Sequence, residues 1–131
     1  MKTKLFLLML LAASTLSAQN KLTVVIDGIE NAKGHIMIGI SDSNEKQVSG
    51  KMEKIEGETV TIVFENLASG EYAVTTYQDE NDNGKLDTGL YGIPTEKYGF
   101  SNNVRGKMGP PAFKECLFKV EEDMVINITI F

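Results

Sequence analysis

Short runs of alternating apolar and polar residues dominate the chain after its first 18 residues. In "LTVVIDGI", Leu22, Val24 and Ile26 fall on one side, and "HIMIGIS" places its isoleucines in the same alternation. Similar runs are "ETVTIVFENL", "GEYAVTTY", "CLFKV" and "VINITIF", with a weaker strand expected over Val48 to Ile55. Because successive side chains of a strand point to opposite faces, this period of two predicts half-buried strands.

Turn signals separate these runs, namely "ENAKG", "IEGE", "LASG" and "EED". Short strands at such spacing predict an all-β fold, an antiparallel β-sandwich of about seven strands. Leu67, Gly70 and Tyr72 form an L-x-x-G-x-Y pattern. This pattern resembles the corner that enters a central strand in Ig-like and transthyretin-like sandwiches. In that corner a tyrosine hydroxyl caps a backbone turn, so we expect the same of Tyr72.

The first residues have the pattern of an export signal. Lys2 and Lys4 precede an apolar run from Leu5 to Leu16, and small residues around Ala18 suit cleavage. A membrane anchor is the alternative, but spanning a bilayer takes ~20 apolar residues. We therefore predict a signal peptide over residues 1–18 and a single β-sandwich domain over residues 19–131. The expected location is periplasmic or extracellular.

The charge balance is acidic. The chain holds 13 basic and 18 acidic residues, and removal of Lys2 and Lys4 takes its formal charge from −5 to −7. Nucleic acids and anionic membranes bind clustered Lys and Arg, so we expect no nucleic-acid partner and no membrane insertion after signal removal. Cys116 is the only cysteine, which excludes an intramolecular disulfide. Its alternation with Phe118 and Val120 predicts a buried small residue on a strand rather than a nucleophile.

The segment from about Gln78 to Phe113 has no clean strand pattern and is rich in Gly, Pro and Asn. A loop of this length is unusual in a compact domain, where most connections have ~4–6 residues. The segment also holds several aromatic residues, which are unfavourable to leave in water. We therefore expect one long ordered loop, an Ω-like excursion that packs on an end or edge of the sandwich.

This loop opens with a spacing of oxygen-bearing side chains around Gly84 that matches an oxygen-ligand calcium loop. The candidate metal ligands are Asp79, Asn81, Asn83, Lys85 through its backbone carbonyl, and Asp87. Leu90 stands at the twelfth position, where a helix–loop–helix hand needs a bidentate Glu. With two direct acids, we expect a weak structural Ca²⁺ site, with a dissociation constant of ~10⁻⁴–10⁻³ M. The alternative is a turn rich in Asp and Asn without metal.

The second candidate site is "YGIPTEKYGFSNNVRGKMGPPAF". Its aromatic, amide and basic residues suit a shallow pocket for a peptide, protein or glycan at the cell surface. The candidate ligand-binding residues are Tyr91, Tyr98, Phe100, Asn102, Asn103 and Arg105, with Lys107 nearby. In the alternative interpretation the aromatics pin the loop to the sandwich, and the two asparagines cap turns.

Catalysis has little support in the sequence. His35 is the only histidine, and it lies on the strand face opposite the isoleucines, where a solvent-facing position is expected. Zinc sites generally draw on more His or Cys than this chain holds. We therefore predict a non-catalytic binding module. The alternatives are a structural or accessory envelope protein and, least favoured, a hydrolase that uses loop carboxylates.

Three motifs in order carry a family resemblance: "DENDNGKLD", "GIPTEKYGFSNN" and "GPPAFKECLF". Together with "LASGEYAV", they resemble a family of small exported bacterial proteins catalogued as domain of unknown function 2141. The resemblance implies a transthyretin-like or Ig-like β-sandwich with an acidic loop and no established activity. Relatives often have a His where this chain has Gln78, so any chemical role of that His is missing here.

Overall fold

The computed structural model describes residues 19–131, and the predicted signal peptide lies outside these described residues. Eight strands occur in this part of the chain: β1 (Gln19–Asp27), β2 (His35–Asp42), β3 (Gln47–Lys54), β4 (Val60–Ala68), β5 (Gly70–Asp79), β6 (Tyr98–Phe100), β7 (Phe118–Val120) and β8 (Met124–Thr129). Two 3-10 turns, Leu90–Gly92 and Ser101–Asn103, and one short helix, α1 (Phe113–Cys116), complete it. Within residues 19–131, no helix has the length and apolar character that a membrane crossing requires.

The strands form two sheets. One has the order β4-β1-β8, and the other has the order β3-β2-β5-β6, with β7 also pairing with β5. The predicted all-β sandwich is confirmed, with one correction: β1 and β8 run parallel, from the pair Leu22–Met124 to the pair Asp27–Thr129. The parallel pair arises because β7 belongs to the five-stranded sheet and β8 to the three-stranded sheet. The chain therefore changes sheets after Val120 and enters beside β1 in the same direction as β1.

The core lies between the two sheets and follows the alternation of the sequence. Leu22, Val24 and Ile26 on β1 are fully buried, as is Phe64 on β4. The isoleucines of β2 are at most 4% exposed, and they cover the β1 residues from the opposite sheet. Each fully buried side chain of this size stabilises the fold by about 1.5–3 kcal/mol. The face assignment of these strands was therefore correct.

The turn between β4 and β5 is closed by the predicted tyrosine corner. The Tyr72 hydroxyl donates a hydrogen bond to the Ala68 carbonyl at 2.6 Å, and the Tyr72 side chain is buried. Burial raises the pKa of Tyr72, and the Asp42 carboxylate adds to that effect. The phenol therefore stays protonated and remains a donor to the turn.

Cys116 is buried, as expected, but it does not lie on a strand. It ends α1, and β7 begins at Phe118, so the predicted strand over "CLFKV" is wrong at its start. The reason is that side chains satisfy the backbone there: the Ser101 hydroxyl donates to the Cys116 carbonyl, and the Asn102 amide donates to the Leu117 carbonyl. Burial, and then the Glu115 carboxylate, raises the pKa of the Cys116 thiol and favours its unreactive form.

The long loop is ordered and packs on the sandwich, as predicted. It starts later than expected, because β5 continues to Asp79, and it contains the short strand β6, which pairs with β5. Tyr98 on β6 also exchanges two backbone hydrogen bonds with Phe131, at 3.3 and 3.0 Å. These bonds join the five-stranded sheet to the end of the chain and fix the loop beside one edge of the sandwich.

Candidate functional site

The loop that follows β5 is folded back by the carboxylate of Asp79. This side chain is buried, at 2% exposure, and its two oxygens accept hydrogen bonds from the backbone N–H groups of Asn83 (3.2 Å) and Gly84 (2.7 Å). The bend also needs positive φ angles, which are 55° at Asp82 and 77° at Gly84. Asp and Gly tolerate this left-handed region, so the local sequence accounts for the sharp turn.

Three of the candidate metal ligands come together inside this turn. The amide nitrogens of Asn81 and Asn83 lie 2.6 and 2.5 Å from the two carboxylate oxygens of Asp87. The backbone N–H of Lys85 donates to the Asn83 side-chain oxygen at 3.1 Å. A half-turn of either amide would exchange its nitrogen for its oxygen at nearly the same position. The arrangement can therefore either neutralise Asp87 with amide donors or present oxygens to a cation.

The side chains of this turn carry oxygen atoms, the ligand type that hard cations prefer. Within residues 19–131, no group of three or more His, Cys, Asp or Glu side chains is arranged to hold a metal ion. A cation at this turn would consequently depend on the amide and backbone oxygens in addition to Asp79 and Asp87. Ca²⁺ accepts such mixed oxygen ligands, whereas transition metals favour imidazole or thiolate.

Glu96 belongs to this site although its sequence context did not indicate it. Its carboxylate is buried, at 7% exposure, and accepts hydrogen bonds from the backbone N–H groups of Glu80 (2.7 Å) and Asp87 (2.8 Å). It therefore ties together the start and the end of the turn. In the sequence, Glu96 stands in "PTEKY", and nothing there distinguishes a buried acid from a solvated one.

These carboxylates create a negative field on the inner side of the turn. Burial raises the pKa of Tyr77, and the carboxylates of Asp79, Glu96 and Asp87 raise it further, in that order of effect. The charges that disfavour a phenolate here also favour a cation. Two of these carboxylates, Asp79 and Asp87, are also candidate metal ligands, so the negative charge belongs to the same site.

His35 contacts the turn from β2. Its Nδ1 lies 2.6 Å from a carboxylate oxygen of Asp82, and the two side chains are 28% and 58% exposed. His35 is thus half-buried and paired with Asp82, where the sequence predicted a solvent-facing position. The residue before it must be a glycine: Gly34 has φ = 71°, and a Cβ there would stand 1.8 Å from the Asp79 carbonyl oxygen. The turn is therefore fastened to the start of β2.

Residues 87–95 form a small two-stranded ribbon, here called the loop hairpin. Thr95 donates to the Asp87 carbonyl at 2.9 Å, and Gly89 donates to the Ile93 carbonyl at 2.8 Å. At its tip, Tyr91 has φ = 61° and Gly92 has φ = 70°. Two successive positive φ angles are the requirement of a type I′ turn, where Asn-Gly is the favoured pair. A tyrosine at the first of these positions is strained.

An apolar cleft of about 630 Å³ lies between the loop hairpin and the segment 106–110. Three of the candidate ligand-binding residues line it: Tyr91, Tyr98 and Phe100. The rings of Tyr98 and Phe100 meet nearly at right angles, with centroids 5.8 Å apart. Tyr91 is 98% exposed and Met108 is 102% exposed, so large apolar surfaces stand open at the mouth of the cleft. Ile93, at 64% exposure, also lines it.

The other three candidate ligand-binding residues lie outside this lining and hold the loop in place. The Asn102 amide donates to backbone carbonyls on either side of Cys116, and the Asn103 amide bridges the outer edge of β8. The Arg105 guanidinium lies 3.7 Å from the centre of the Phe131 ring. These contacts correspond to the alternative interpretation, in which amide side chains cap the backbone. The sequence-based set thus divides into a cleft group and an anchoring group.

A second concavity, of about 650 Å³, lies on the outer face of the five-stranded sheet between Met52 and Tyr77. The sheet surface at its floor is recessed there because Gly39 and Gly50, which pair with each other across β2 and β3, have no side chains. The Gln47 side chain already covers this floor, since its Nε2 lies 2.8 Å from where a Cβ of Gly50 would stand. The cleft beside the loop hairpin is therefore the better candidate for a ligand site.

A family described as "Uncharacterized protein conserved in bacteria (DUF2141)" matches residues 24–128. Neither a curated protein nor a solved structure matches the chain. The matched range runs from β1 to β8, so it contains the turn, the loop hairpin and the cleft.

Proposed function

This chain belongs to the DUF2141 family of uncharacterised proteins conserved in bacteria, and we propose that it is an exported, non-catalytic binding module. The observation that carries this proposal is the apolar cleft whose walls include the almost fully exposed Tyr91 and Met108. Contiguous apolar surface on a soluble domain is unfavourable unless a partner covers it. A cleft of this volume, with few polar groups, is typical of ligand sites.

The loop carboxylates accept hydrogen bonds within the turn, which supports a binding role over a hydrolytic one. Both oxygens of Asp79 accept backbone N–H groups, and so do both oxygens of Glu96. Asp87 accepts the amides of Asn81 and Asn83. Each acid thus has a role in shaping the turn.

A structural Ca²⁺ ion in the turn is the second part of the proposal. Asn81, Asn83 and Asp87 converge there, and the ion would offset the negative charge of Asp79 and Asp87. The turn leads directly into the loop hairpin, which forms one wall of the cleft. Calcium would therefore stabilise the wall without contacting the ligand.

The calcium part is tested by thermal unfolding of residues 19–131 in 10 mM CaCl₂ and in EGTA, with MgCl₂ at equal ionic strength as the salt control. A dissociation constant of ~10⁻⁴–10⁻³ M predicts a stabilisation of roughly 1.4–2.7 kcal/mol at this concentration. That corresponds to an increase of several degrees in the unfolding temperature. Asp87→Asn should abolish the increase, whereas Asp123→Asn, in the turn before β8, should retain it. Equal unfolding temperatures in calcium and EGTA contradict the site.

The binding part is tested with glycan and peptide arrays probed with residues 19–131. Saturable binding that Tyr98→Ala and Phe100→Ala abolish, and that Val125→Ala on the exposed face of β8 retains, supports the proposal. A stable envelope partner found by cross-linking, without any soluble ligand, would favour the structural alternative. Turnover in a substrate screen that is lost on substitution of Asp87 or Glu96 would contradict a non-catalytic role.

A further inference from the structure

The side chains that line the cleft beside the loop hairpin carry a single charge. The lining consists mainly of aromatic, aliphatic, proline and glycine residues, and Lys107 supplies the only ionisable group other than the tyrosine phenols. No acidic side chain of the described residues lines this cleft. An ammonium group at the rim of an apolar surface is complementary to a negative charge on an apolar body.

The neighbouring charges do not neutralise Lys107. The ion pairs within residues 19–131 are His35–Asp82 and Lys97–Glu30, and neither includes Lys107. Glu115, the acid nearest in sequence, accepts the Ala112 backbone N–H, and Glu96, the next nearest, accepts two backbone N–H groups of the turn. The Lys107 charge is therefore available at the cleft.

The size of the cleft and the charge of the whole domain favour a small occupant. The volume of about 630 Å³ falls within the ~300–1,000 Å³ of small-molecule sites. Residues 19–131 carry a formal charge of −7, which repels an extended acidic surface or an acidic protein. A small monovalent anion inside the cleft meets Lys107 as the only charged side chain of the lining, and screening with a Debye length of about 8 Å at physiological salt weakens the effect of more distant charges.

We infer that the cleft binds a small apolar anion, an alkyl or aryl body with one carboxylate or sulfonate group, and that Lys107 binds the anionic group. The apolar body packs against Tyr98, Phe100 and Ile93, and the exposed Tyr91 and Met108 cover it from the two sides. This inference rests on the proposed binding function and specifies its ligand class.

Two naphthyl dyes provide a matched test on residues 19–131: 1-anilinonaphthalene-8-sulfonate is anionic, and N-phenyl-1-naphthylamine lacks the sulfonate. Fluorescence titration should give one site per chain, with the anionic dye bound about five- to tenfold more tightly, since one accessible charge pair contributes ~1 kcal/mol. Octanoate should displace the anionic dye, and 1-octanol should do so less well. Higher salt should weaken only the anionic ligands.

The variants separate the contribution of the Lys107 charge to binding from that of the apolar lining of the cleft. Lys107→Gln should weaken the anionic dye about five- to tenfold and leave the neutral dye unchanged. Lys107→Arg should restore the affinity, and Lys46→Gln, at an exposed lysine in the turn between β2 and β3, should have no effect. Phe100→Ala should weaken both dyes. Circular dichroism of each variant verifies that the dyes report a folded protein.

The outcomes distinguish the two proposals. If neither dye binds, or if Phe100→Ala binds both as the wild type does, the cleft is not a ligand site and the proposed binding function fails with it. If the neutral dye binds as tightly as the anionic one, or if Lys107→Gln has no effect, the binding module stands and the anionic ligand class is wrong. A short apolar peptide that displaces the dye more effectively than octanoate would overturn the small-molecule occupant in favour of a protein segment.

Discussion

The carboxylate of Glu96 lies 2.8 Å from the backbone nitrogen of Asp87, and its second oxygen accepts the Glu80 N–H at 2.7 Å. One buried side chain therefore closes the turn that leads out of β5. Glu96 also lies between the loop hairpin and β6, which both border the cleft. Its position connects the candidate calcium turn to the candidate ligand site.

Glu96→Ala should lower the free energy of unfolding by about 1–3 kcal/mol, because two half-buried backbone donors lose their buried acceptor. Glu96→Gln should lower the free energy of unfolding by less, since its single amide oxygen can still accept a hydrogen bond from one of the two N–H groups. Urea denaturation measures both, with Glu122→Ala in an exposed turn as the control. An effect of Glu96→Ala no larger than that of Glu122→Ala would show that the turn does not depend on this carboxylate.

Tyr72→Phe should destabilise the fold by about 0.5–1.5 kcal/mol at neutral pH, because the Ala68 carbonyl loses its hydroxyl donor. The same variant should also change how the free energy of unfolding depends on pH in the alkaline range. Folding raises the pKa of Tyr72 above its ordinary value of 10.0, chiefly through burial. A phenol with a raised pKa in the folded state stabilises the fold fully below pH ~10, and this contribution is lost as the pH rises through the folded-state pKa.

The wild type should therefore lose stability above pH ~10 more steeply than Tyr72→Phe does. Urea denaturation at several pH values between 8 and 11 measures the slope. Tyr91→Phe provides the matched control, because Tyr91 is 98% exposed. Identical slopes for the wild type and Tyr72→Phe would exclude Tyr72 as a source of the alkaline dependence.

Asn103 covers the free edge of β8, and its removal should expose that edge. The Asn103 side chain accepts the Thr129 N–H at 2.9 Å and donates to the Asn127 carbonyl at 3.3 Å. Asn103→Gly should remove these bonds while keeping the local backbone angle, since φ is 52° there. We expect the free energy of unfolding to fall by about 1–2 kcal/mol and the amide hydrogen of Thr129 to exchange faster.

Asn103→Ala should cost about 1–2 kcal/mol more than Asn103→Gly, because a Cβ is strained at positive φ. Exposure of a strand edge also promotes self-association, which light scattering at increasing concentration detects. Unchanged protection of Thr129 in Asn103→Gly would mean that the side chain does not guard the edge.

Tyr91→Asn should stabilise the domain while weakening ligand binding. Asn-Gly suits the type I′ turn at the tip of the loop hairpin better than Tyr-Gly does, so we expect a gain of about 0.5–1.5 kcal/mol. The lost aromatic surface should reduce dye affinity at the cleft. Thermal unfolding and dye titration measure the two effects on the same samples. A less stable variant would show that the Tyr91 ring packs on the domain and does not serve an exposed contact.

The strand pattern made the sandwich predictable. The period of two in β1 and β2 assigned Leu22 and Ile36 to the core, and the L-x-x-G-x-Y pattern predicted the Tyr72 corner; both are features of residues close in sequence. The strand expected at Cys116 was wrong, because the Ser101 hydroxyl reaches its carbonyl from 15 residues away. The alternation of apolar and polar residues gives no information about a contact between residues so far apart in sequence.

The site was predictable in part. The spacing of Asn81, Asn83 and Asp87 indicated a turn in which these side chains converge, because alternate residues of a tight loop point inward. Which aromatics line a cleft and which asparagines anchor the loop could not be derived, since the same residue types serve both purposes. Tyr98 lines the cleft because it lies on β6, whereas Asn103 anchors the loop because it lies against the outer edge of β8. These positions are defined only in the folded chain.

By itself, the sequence determined which residues face the core, where the chain turns, and which side chains gather around Gly84. These properties follow from backbone geometry over a few residues, where side-chain direction depends on position in a strand or turn. The tertiary structure alone decided that β8 runs parallel to β1, that His35 meets Asp82, and that Glu96 closes the turn from 16 residues away. The physical reason is that hydrogen bonds and ion pairs act over a few ångströms, so their partners are defined only after the sheets have brought distant segments together.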